Sequence, residues 1–191
     1  MRGLDHFSLL APFYDRIFAG LDPARLRDLL ALPARRLLDV GGGTGRVAAL
    51  LAGDVEQVVI ADPSRGMLGG AKAKNGLLPT RARAERLPYR AGSFDRILIV
   101  DAFHHFLDQS QAAPELLRVL APGGRLVIEE MNYERLPVKL VALGEKLALM
   151  GSRFYRSGEL GRLFEGAGRG VTVHSDHAVS VWVVVEKEPA R

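Results

Sequence analysis

The sequence predicts an α/β fold, in which a mostly parallel β-sheet has helices packed on both of its faces. Two observations support this prediction. Between about residues 35 and 131, short strands alternate with helical segments, and the strands are apolar almost throughout, as in a parallel sheet that is covered on both sides. Nearer the C-terminus, two strand patterns joined by a short polar link predict an antiparallel hairpin at one end of the sheet.

The composition narrows the class of protein. A chain of 191 residues with 48% hydrophobic and 25% charged residues is typical of one globular domain. Cysteine is absent, which excludes disulfides, thiolate metal ligands and cysteine nucleophiles, and we predict no metal site. No apolar run reaches the ~18 residues that span a bilayer. Because the N-terminus also lacks a signal-peptide pattern, we expect no membrane span and a cytoplasmic location.

The predicted elements begin with two amphipathic helical patterns before about residue 32, separated at Leu21–Pro23. Asp22 is the predicted N-cap of the second helix and Pro23 its first residue, because a cap carboxylate accepts from free amides and proline has no amide to satisfy. Residues 1–33 therefore form a predicted helical cap on the domain. The alternating units that follow are strand 36–40, helix 45–53, strand 57–62, helix 63–74, strand 76–82, strand 94–101, helix 109–121 and strand 124–131.

The alternation of strands and helices ends after Met131. Residues 136–151 are predicted to form an extra, rather apolar helix within a helical insert at 132–156, and residues 157–168 a helix with Ser157 as its N-cap. The final hairpin is predicted to pair residues 171–175 with residues 179–187. With no repeat or linker, the whole chain from 1 to 191 is expected to be one domain.

The turn after the first strand contains three consecutive glycines and then a fourth, which predicts that a ligand approaches the backbone closely. A dinucleotide-binding turn requires a small residue at position 46, where this chain has Arg46. A phosphate-binding loop requires a Gly-Lys-Ser/Thr sequence, which does not follow the turn. Asp39 places a carboxylate beside the turn, which disfavours a pyrophosphate and favours a ligand with cationic character.

Asp62 ends the second strand about 20 residues after the glycines, where an acid accepts hydrogen bonds from the ribose hydroxyls of a nucleoside. The alternative is that Asp62 is only the N-cap of a helix that starts at Pro63. We favour the ligand role, since Asp39 and the glycines converge on the same crevice.

The segments LLDVGGGTGRVAALLA, VVIADPSRGML, AERLPYRAGSFDRILIVDAFHHF and LLRVLAPGGRLVIEEM resemble, in order and spacing, the motifs of class I S-adenosylmethionine-dependent methyltransferases. The resemblance is strongest to the branch that includes the ubiquinone/menaquinone biosynthesis C-methyltransferases, and it extends from about Tyr14 to the last strand. It implies a Rossmann-like doubly wound sheet of seven strands with order 3-2-1-4-5-7-6 and strand 7 antiparallel. It also implies S-adenosylmethionine as the cofactor.

The resemblance further implies roles for individual residues. Asp62 would accept from the ribose, Pro63 and Met67 would pack near the adenine, and Val100 and Asp101 would lie near the sulfonium. Tyr14 would contact the cofactor or the substrate from the N-terminal helix. The adenine edge would be held by Arg83, Ala84 and Glu85. The methionine and ribose part would be lined by Asp39, Gly41, Gly42, Gly43, Thr44 and Gly45.

Arg83 departs from the pattern of these relatives, which usually have an Asp or Asn that accepts from the adenine amino group. An arginine cannot accept a hydrogen bond. Either Glu85 takes over this role, or packing and backbone amides hold the ring. The loss of one such bond costs roughly 0.5–1.5 kcal/mol, so weaker cofactor binding is expected.

The predicted function is direct methyl transfer to a small, hydrophobic acceptor, in which positioning carries much of the acceleration. The candidate bases are His104, His105, Tyr14 and Asp101, of which His105 and Tyr14 are favoured as cofactor or substrate contacts. The alternatives are a non-catalytic S-adenosylmethionine-binding or regulatory protein with a degraded site, and an RNA methyltransferase. The insert is interpreted as a lid over the acceptor, or otherwise as a core helix or a homodimer interface.

The RNA alternative rests on a local group of arginines in a chain whose net charge is +4. A solvated loop region is the other interpretation of this group and the favoured one, so nucleic acid is not an expected partner. The group consists of Arg81, Arg83, Arg86, Arg90 and Arg96.

Overall fold

The structure, a computed structural model, describes residues 22–132, 157–165, 168–175 and 180–190. Three predictions lie outside these residues: the first N-terminal helix with Tyr14, most of the helical insert, and the helix at 136–151.

Seven strands of the described residues form one mixed sheet with the order β3-β2-β1-β4-β5-β7-β6. Neighbours among the first five strands run parallel, whereas β7 runs antiparallel to both β5 and β6. The predicted fold, strand order and terminal hairpin are therefore confirmed. The strands are β1 (Ala34–Val40), β2 (Val55–Asp62), β3 (Leu77–Arg81), β4 (Phe94–Val100), β5 (Leu120–Met131), β6 (Gly168–Ser175) and β7 (Ser180–Lys187).

Five α-helices occur in the same residues, and two short 3-10 helices span Ala52–Asp54 and Phe103–His105. The capping prediction for the first of them is confirmed, because Asp22 Oδ1 accepts from the Ala24 amide at 2.9 Å and Pro23 is the first helical residue. None of the described helices is long and apolar enough to cross a membrane. The helices are α1 (Pro23–Leu30), α2 (Arg46–Ala49), α3 (Arg65–Lys72), α4 (Gln109–Val119) and α5 (Ser157–Arg162).

Apolar side chains alternate between the two faces of the sheet, and each face has its own core. On one face, Leu38 and Ile97 pack against α4 side chains such as Leu116. On the other face, Leu37 and Leu98 pack with side chains of α1, α2 and α3. Consecutive strand residues are thus buried on opposite sides, which is why the strands appear as continuous apolar runs in the sequence.

Some predicted boundaries change in the structure. The predicted helix at 45–53 consists of the four residues of α2 and the separate 3-10 turn at Ala52–Asp54. The Arg27 guanidinium donates to the Leu50 carbonyl at 2.8 Å and to Asp54 at 2.7 Å, which satisfies groups left free by the break. The helix predicted at 63–74 begins two residues later, at Arg65.

The strand order places a crevice at the carboxyl ends of β1 and β4. These two strands are neighbours, but the chain continues from β1 to β2 on one side and from β4 to β5 on the other. In open α/β sheets, such a reversal point is where ligands bind. The glycine turn after β1 and Asp101 after β4 both lie at this point.

Candidate functional site

A cavity of about 800 Å³ opens in this crevice. Its size lies within the range of roughly 300–1,000 Å³ that is typical of small-molecule and cofactor sites. Side chains and backbone from the ends of β1, β2 and β4, and from the starts of α2 and α3, form its walls. The lining residues are Asp39, Gly41, Gly42, Gly43, Thr44, Arg46, Val47, Asp62, Pro63, Ser64, Arg65, Met67, Arg81, Arg83, Val100, Asp101, Ala102, His105 and Phe106.

The glycine turn passes directly over Asp39. A Cβ atom at Gly42 would lie 2.5 Å from the Asp39 carboxyl carbon, so a side chain there would displace the acid. The Gly41 amide donates to the Ala61 carbonyl at 2.7 Å, which fixes the turn to the end of β2. The glycines therefore let the backbone cover a buried carboxylate and still reach the cavity.

Asp39 is 2% exposed, and its Oδ2 atom has no hydrogen-bond partner among the described residues. Burial first, and the nearby Asp62 carboxylate second, raise the pKa of Asp39 from 3.8 to about 7, while the Arg46 guanidinium opposes the rise. An unpaired carboxylate that lines a cavity is poorly solvated. A cationic group in the cavity would supply the missing partner.

Asp62 ties the second strand to the turn. Its Oδ2 accepts from the Gly43 amide at 3.0 Å, and its Oδ1 accepts from the Ser64 amide at 2.8 Å. The N-cap of α3 is Ser64, whose hydroxyl accepts from the Met67 amide. The alternative that Asp62 is only the N-cap of that helix is therefore wrong. A carboxylate has further acceptor sites, which leaves Asp62 able to accept from hydroxyls in the cavity.

Arg46 is one of four arginines that line the cavity, together with Arg65, Arg81 and Arg83. It is the first residue of α2, it lines the cavity, and its buried Nε atom has no hydrogen-bond partner within the described part of the chain. Its charge opposes the rise in the pKa values of both Asp39 and Asp101. The sequence analysis considered Arg46 only as an obstacle to dinucleotide binding and missed that it lines the cavity.

A second, smaller cavity of about 160 Å³ adjoins the first beyond β3. Ala84 and Glu85 line it, together with Phe106 and Leu107, whereas Arg83 and His105 border both cavities. Glu85 Oε1 accepts from the Asp108 amide at 3.2 Å, so this carboxylate is held at the wall. The three residues predicted to hold an adenine edge thus lie together beside the main cavity.

Asp101 occupies an uncommon backbone conformation at the end of β4, with a φ of 48°. Such a conformation is strained for a residue with a side chain and is frequent at functional sites. Burial raises the pKa of Asp101, and so does the Glu130 carboxylate, while His104 and Arg46 oppose the rise. Its backbone amide donates to the Glu129 carbonyl on β5 at 3.0 Å.

The two adjacent histidines behave differently. His104 is buried, with its Nδ1 atom 2.6 Å from Glu130 Oε2, and Glu130 Oε1 accepts from the Phe103 amide at 2.6 Å. His105 lines the cavity, and burial, followed by the charge of His104, lowers its pKa to about 3. A ring with this pKa is neutral at neutral pH, which suits a contact and makes it a weak proton acceptor.

The five arginines that are grouped in the sequence do not all lie together in the structure. Arg96 lies under α1, where its guanidinium donates to the Ala31 carbonyl at 3.1 Å and contacts the Leu30 carbonyl. Arg81 and Arg83 border the main cavity, whereas Arg86 and Arg90 are exposed in the following loop. Arg96 therefore does not extend a basic face formed by the others.

The structure brings most of the predicted site residues to one cavity. Gly45 does not line it; a Cβ atom there would lie 2.5 Å from Leu77 Cδ1, so Gly45 serves helix–strand packing. Tyr14 lies outside the described residues. The sequence analysis missed several lining residues, including Ser64, Ala102 and Phe106. Their signal was their position directly after a strand that already carried a predicted contact.

Comparisons with known proteins agree with this geometry. A family model described as a methyltransferase domain matches residues 38–128. The ubiquinone/menaquinone biosynthesis C-methyltransferase UbiE of Vibrio parahaemolyticus is 38% identical over 112 residues, which cover 53% of this chain and 43% of that protein. The demethylmenaquinone methyltransferase of Deinococcus radiodurans is 39% identical over 139 residues, covering 65% of this chain and 58% of that protein.

Among solved structures, a Thermotoga maritima protein has a TM-score of 0.79 and 25% identity, covering 95% of this chain and 98% of its own. Its title describes an S-adenosylmethionine-dependent methyltransferase and a possible histamine N-methyltransferase. The predicted resemblance to S-adenosylmethionine-dependent methyltransferases is thus confirmed by these comparisons, which indicate S-adenosylmethionine as the cofactor. The chain spans about half the length of the curated relatives that it matches.

Proposed function

We propose that the protein is a methyltransferase that moves a methyl group from S-adenosylmethionine to a small hydrophobic acceptor. The observation that carries the proposal is the charge pattern of the cavity. Asp39, with an unpaired Oδ2, lies under the glycine turn, and Asp62 and Arg46 flank it. S-adenosylmethionine carries an ammonium, a sulfonium and a carboxylate, so the acids of the cavity match its cationic groups, and Arg46, one of the four arginines in the lining, matches its carboxylate.

Individual residues are proposed to hold parts of this cofactor. Asp62 accepts from the ribose hydroxyls, and Asp39 balances the cationic end. Arg46 pairs with the carboxylate of the methionine part, since its Nε lacks a described partner. Met67 and Pro63 pack near the adenine, and the Ala84 region covers its edge from the smaller cavity.

The chemistry requires little covalent participation by the protein. The bound cofactor supplies an activated methyl group and a good leaving group. The side chains of this chain are proposed to hold the donor and exclude water, and the acceptor is proposed to approach at Val100 and Asp101, which line the cavity. We propose Asp101 as the proton acceptor and His105 as a neutral contact.

The acceptor class rests on the relatives, whose names refer to quinone biosynthesis. We propose a small aromatic acceptor of hydroquinone type for this chain. A cytoplasmic location, a homodimer and a lid formed by the insert at 132–156 remain predictions.

Release of S-adenosylhomocysteine from S-adenosylmethionine tests the proposed function. The acceptors are short-chain demethylated hydroquinones, with small amines as a second panel. We expect release with the hydroquinones and a large loss in the Asp101→Asn variant. Saturable S-adenosylmethionine binding without acceptor-dependent release from either panel would contradict catalysis and favour a binding protein.

A further inference from the structure

Three arginines line the main cavity where it is open to solvent. Arg65 is the first residue of α3, Arg81 ends β3, and Arg83 follows two residues later. All three are exposed, whereas the cavity acids Asp39 and Asp62 are 2% and 7% exposed. The cavity therefore has its acids at depth and three guanidinium groups near the solvent, which we call the arginine rim.

The segments that carry the arginine rim lie next to each other in the fold. Arg81 is in register with Asp62 on the neighbouring strand β2, and its Nε atom donates to the Pro63 carbonyl at 3.0 Å. Arg65 begins α3 two residues after Pro63, and Arg83 borders both the main cavity and the smaller one. The rim thus comes from three segments that meet at the carboxyl ends of β2 and β3.

No ion pair among the described residues includes Arg65, Arg81 or Arg83. The acids beside the rim are already engaged by backbone groups. Both oxygens of Asp62 accept from amides, and Glu85 Oε1 accepts from an amide at 3.2 Å. A cleft that is lined by charges of one sign raises the local concentration of ligands of the opposite sign. The rim therefore favours an anion.

The cofactor does not supply that anion. S-adenosylmethionine has one anionic group, the carboxylate that is proposed to pair with Arg46. A guanidinium cannot accept a hydrogen bond from an adenine amino group, so the charge of Arg83 is not used by the base. The other molecule that the proposed reaction brings to this cavity is the methyl acceptor.

We propose that the arginine rim binds an anionic group, a carboxylate or a phosphate, that is carried by the methyl acceptor. The inference rests on the proposed function and narrows its substrate class. The planar guanidinium fork matches either anion in a bidentate geometry, with charge-assisted hydrogen bonds. Within the proposed hydroquinone type, the acceptor then bears an acidic substituent on its ring.

A single anionic group fits the arrangement of the arginines better than a nucleic acid does. A polynucleotide requires a continuous basic face that follows its phosphates. Arg96 is instead held under α1 by the Leu30 and Ala31 carbonyls, and neither Arg86 nor Arg90 lines either cavity. The arginines that remain line one cavity.

A matched pair of probes tests the inference by binding, without turnover. Gentisate is a hydroquinone that carries a carboxylate, and methyl gentisate has the same ring without the charge. Each is titrated by calorimetry into the protein saturated with S-adenosylhomocysteine. We expect gentisate to bind about tenfold tighter than its ester, which corresponds to one charge-assisted hydrogen bond, and this advantage to shrink as salt is added.

Inorganic phosphate is a second probe, which tests the rim independently of the aromatic ring. Its binding is followed through the NMR signals of the arginine side-chain N–H groups. We expect saturable changes at the signals of Arg65, Arg81 and Arg83.

Variants assign the preference for the anion to the rim. Arg65→Gln/Arg81→Gln removes two of the three charges and is expected to bring the affinity for gentisate down to that for the ester. Arg83→Gln is expected to reduce the preference. Arg35→Gln, at an exposed position near the start of β1, lies at the opposite end of the sheet and is the matched control that should keep it. Circular dichroism checks that each variant folds.

The outcomes decide the inference. Equal affinity of gentisate and its ester in the wild type would overturn it and mean that the three arginines are only solvated. A preference that persists in both rim variants would also overturn it, since another cation would then hold the carboxylate. If neither aromatic probe binds, phosphate decides: binding that is lost in the double variant supports the rim, and no binding overturns it.

Two further outcomes separate the inference from other functions. Binding of a short RNA without binding of gentisate or phosphate would overturn it in favour of a nucleic-acid surface. Binding of the small anions by a protein that does not bind S-adenosylhomocysteine would contradict the proposed function, while leaving the rim as an anion site.

Discussion

The carboxylate of Asp62 accepts from the Gly43 amide at 3.0 Å, which joins the end of β2 to the glycine turn that follows β1. The same carboxylate accepts from the Ser64 amide at the start of α3. One acid therefore fixes two backbone segments of the cavity wall and faces the cavity itself. Asp62 can therefore hold the backbone of the cavity wall and bind a ligand at the same time.

Asp62→Ala is expected to weaken S-adenosylhomocysteine binding by about 1–3 kcal/mol, because ribose hydroxyls lose their acceptor and the turn loses a tether. Isothermal titration calorimetry measures the change. Asp54→Ala is the matched control: this acid pairs with Arg27 at the opposite end of β2, outside the main cavity. Equal affinity in Asp62→Ala and the wild type would show that the acid only shapes the loop.

Arg46→Gln is expected to weaken S-adenosylhomocysteine by roughly 1–3 kcal/mol, since a buried carboxylate of the ligand would lose its charged partner. The discriminating ligand is 5′-methylthioadenosine, which has the nucleoside and the thioether but no amino-acid part. Its affinity should be nearly unchanged in the variant. A similar loss for both ligands would mean that Arg46 supports the site as a whole instead of pairing with the carboxylate.

The raised pKa of Asp39 predicts that the stability of the protein depends on pH. Its pKa is about 7 in the folded protein against 3.8 ordinarily, so the folded chain binds more protons than the unfolded chain between these values. The free energy of unfolding of the ligand-free protein therefore falls as pH rises from 4 to 7, by up to about 4 kcal/mol from this group. Asp39→Asn should remove that decline in urea unfolding curves, and parallel pH profiles for the two proteins would contradict the assignment.

The close packing around Gly45 predicts that a side chain there lowers the stability of the protein, whether or not a ligand is bound. Its φ of 70° disfavours a side chain, and a Cβ atom would lie 2.5 Å from Leu77 Cδ1. Gly45→Ala should lower the free energy of unfolding by about 1–3 kcal/mol. Gly53→Ala is the control, because no atom lies within 4 Å of a Cβ there. Thermal unfolding of both variants provides the comparison, and an equal effect at the two positions would rule out the Leu77 contact as the cause.

The sequence was sufficient to predict the sheet, because apolar strands that are buried on both faces have a distinct pattern, and the terminal hairpin follows from strand spacing. It also predicted the Asp39 and Asp62 sites, since acids directly after two parallel strands must lie at one edge of the sheet. Spacing alone did not predict that Arg46 lines the cavity and that Gly45 does not. Gly45 supplies the small residue for helix packing, and Arg46 lines the cavity.

Glu129 was missed for a different reason. Glu129 and Glu130 are consecutive, so strand alternation places them on opposite faces of a sheet that is covered on both sides, and spacing does not tell which of them lies near the site. Both are buried, and Glu130 accepts from the Phe103 amide in the turn after β4. Only the tertiary pairing of β5 with β4 brings Glu129 to Asp101.

The most direct test of the central claim is calorimetry of the purified protein with S-adenosylhomocysteine and with NAD. The account predicts saturable binding of S-adenosylhomocysteine and none of NAD, because the Asp39 carboxylate lies beside the glycine turn, where a pyrophosphate would have to be held. Binding of NAD without binding of S-adenosylhomocysteine would contradict it.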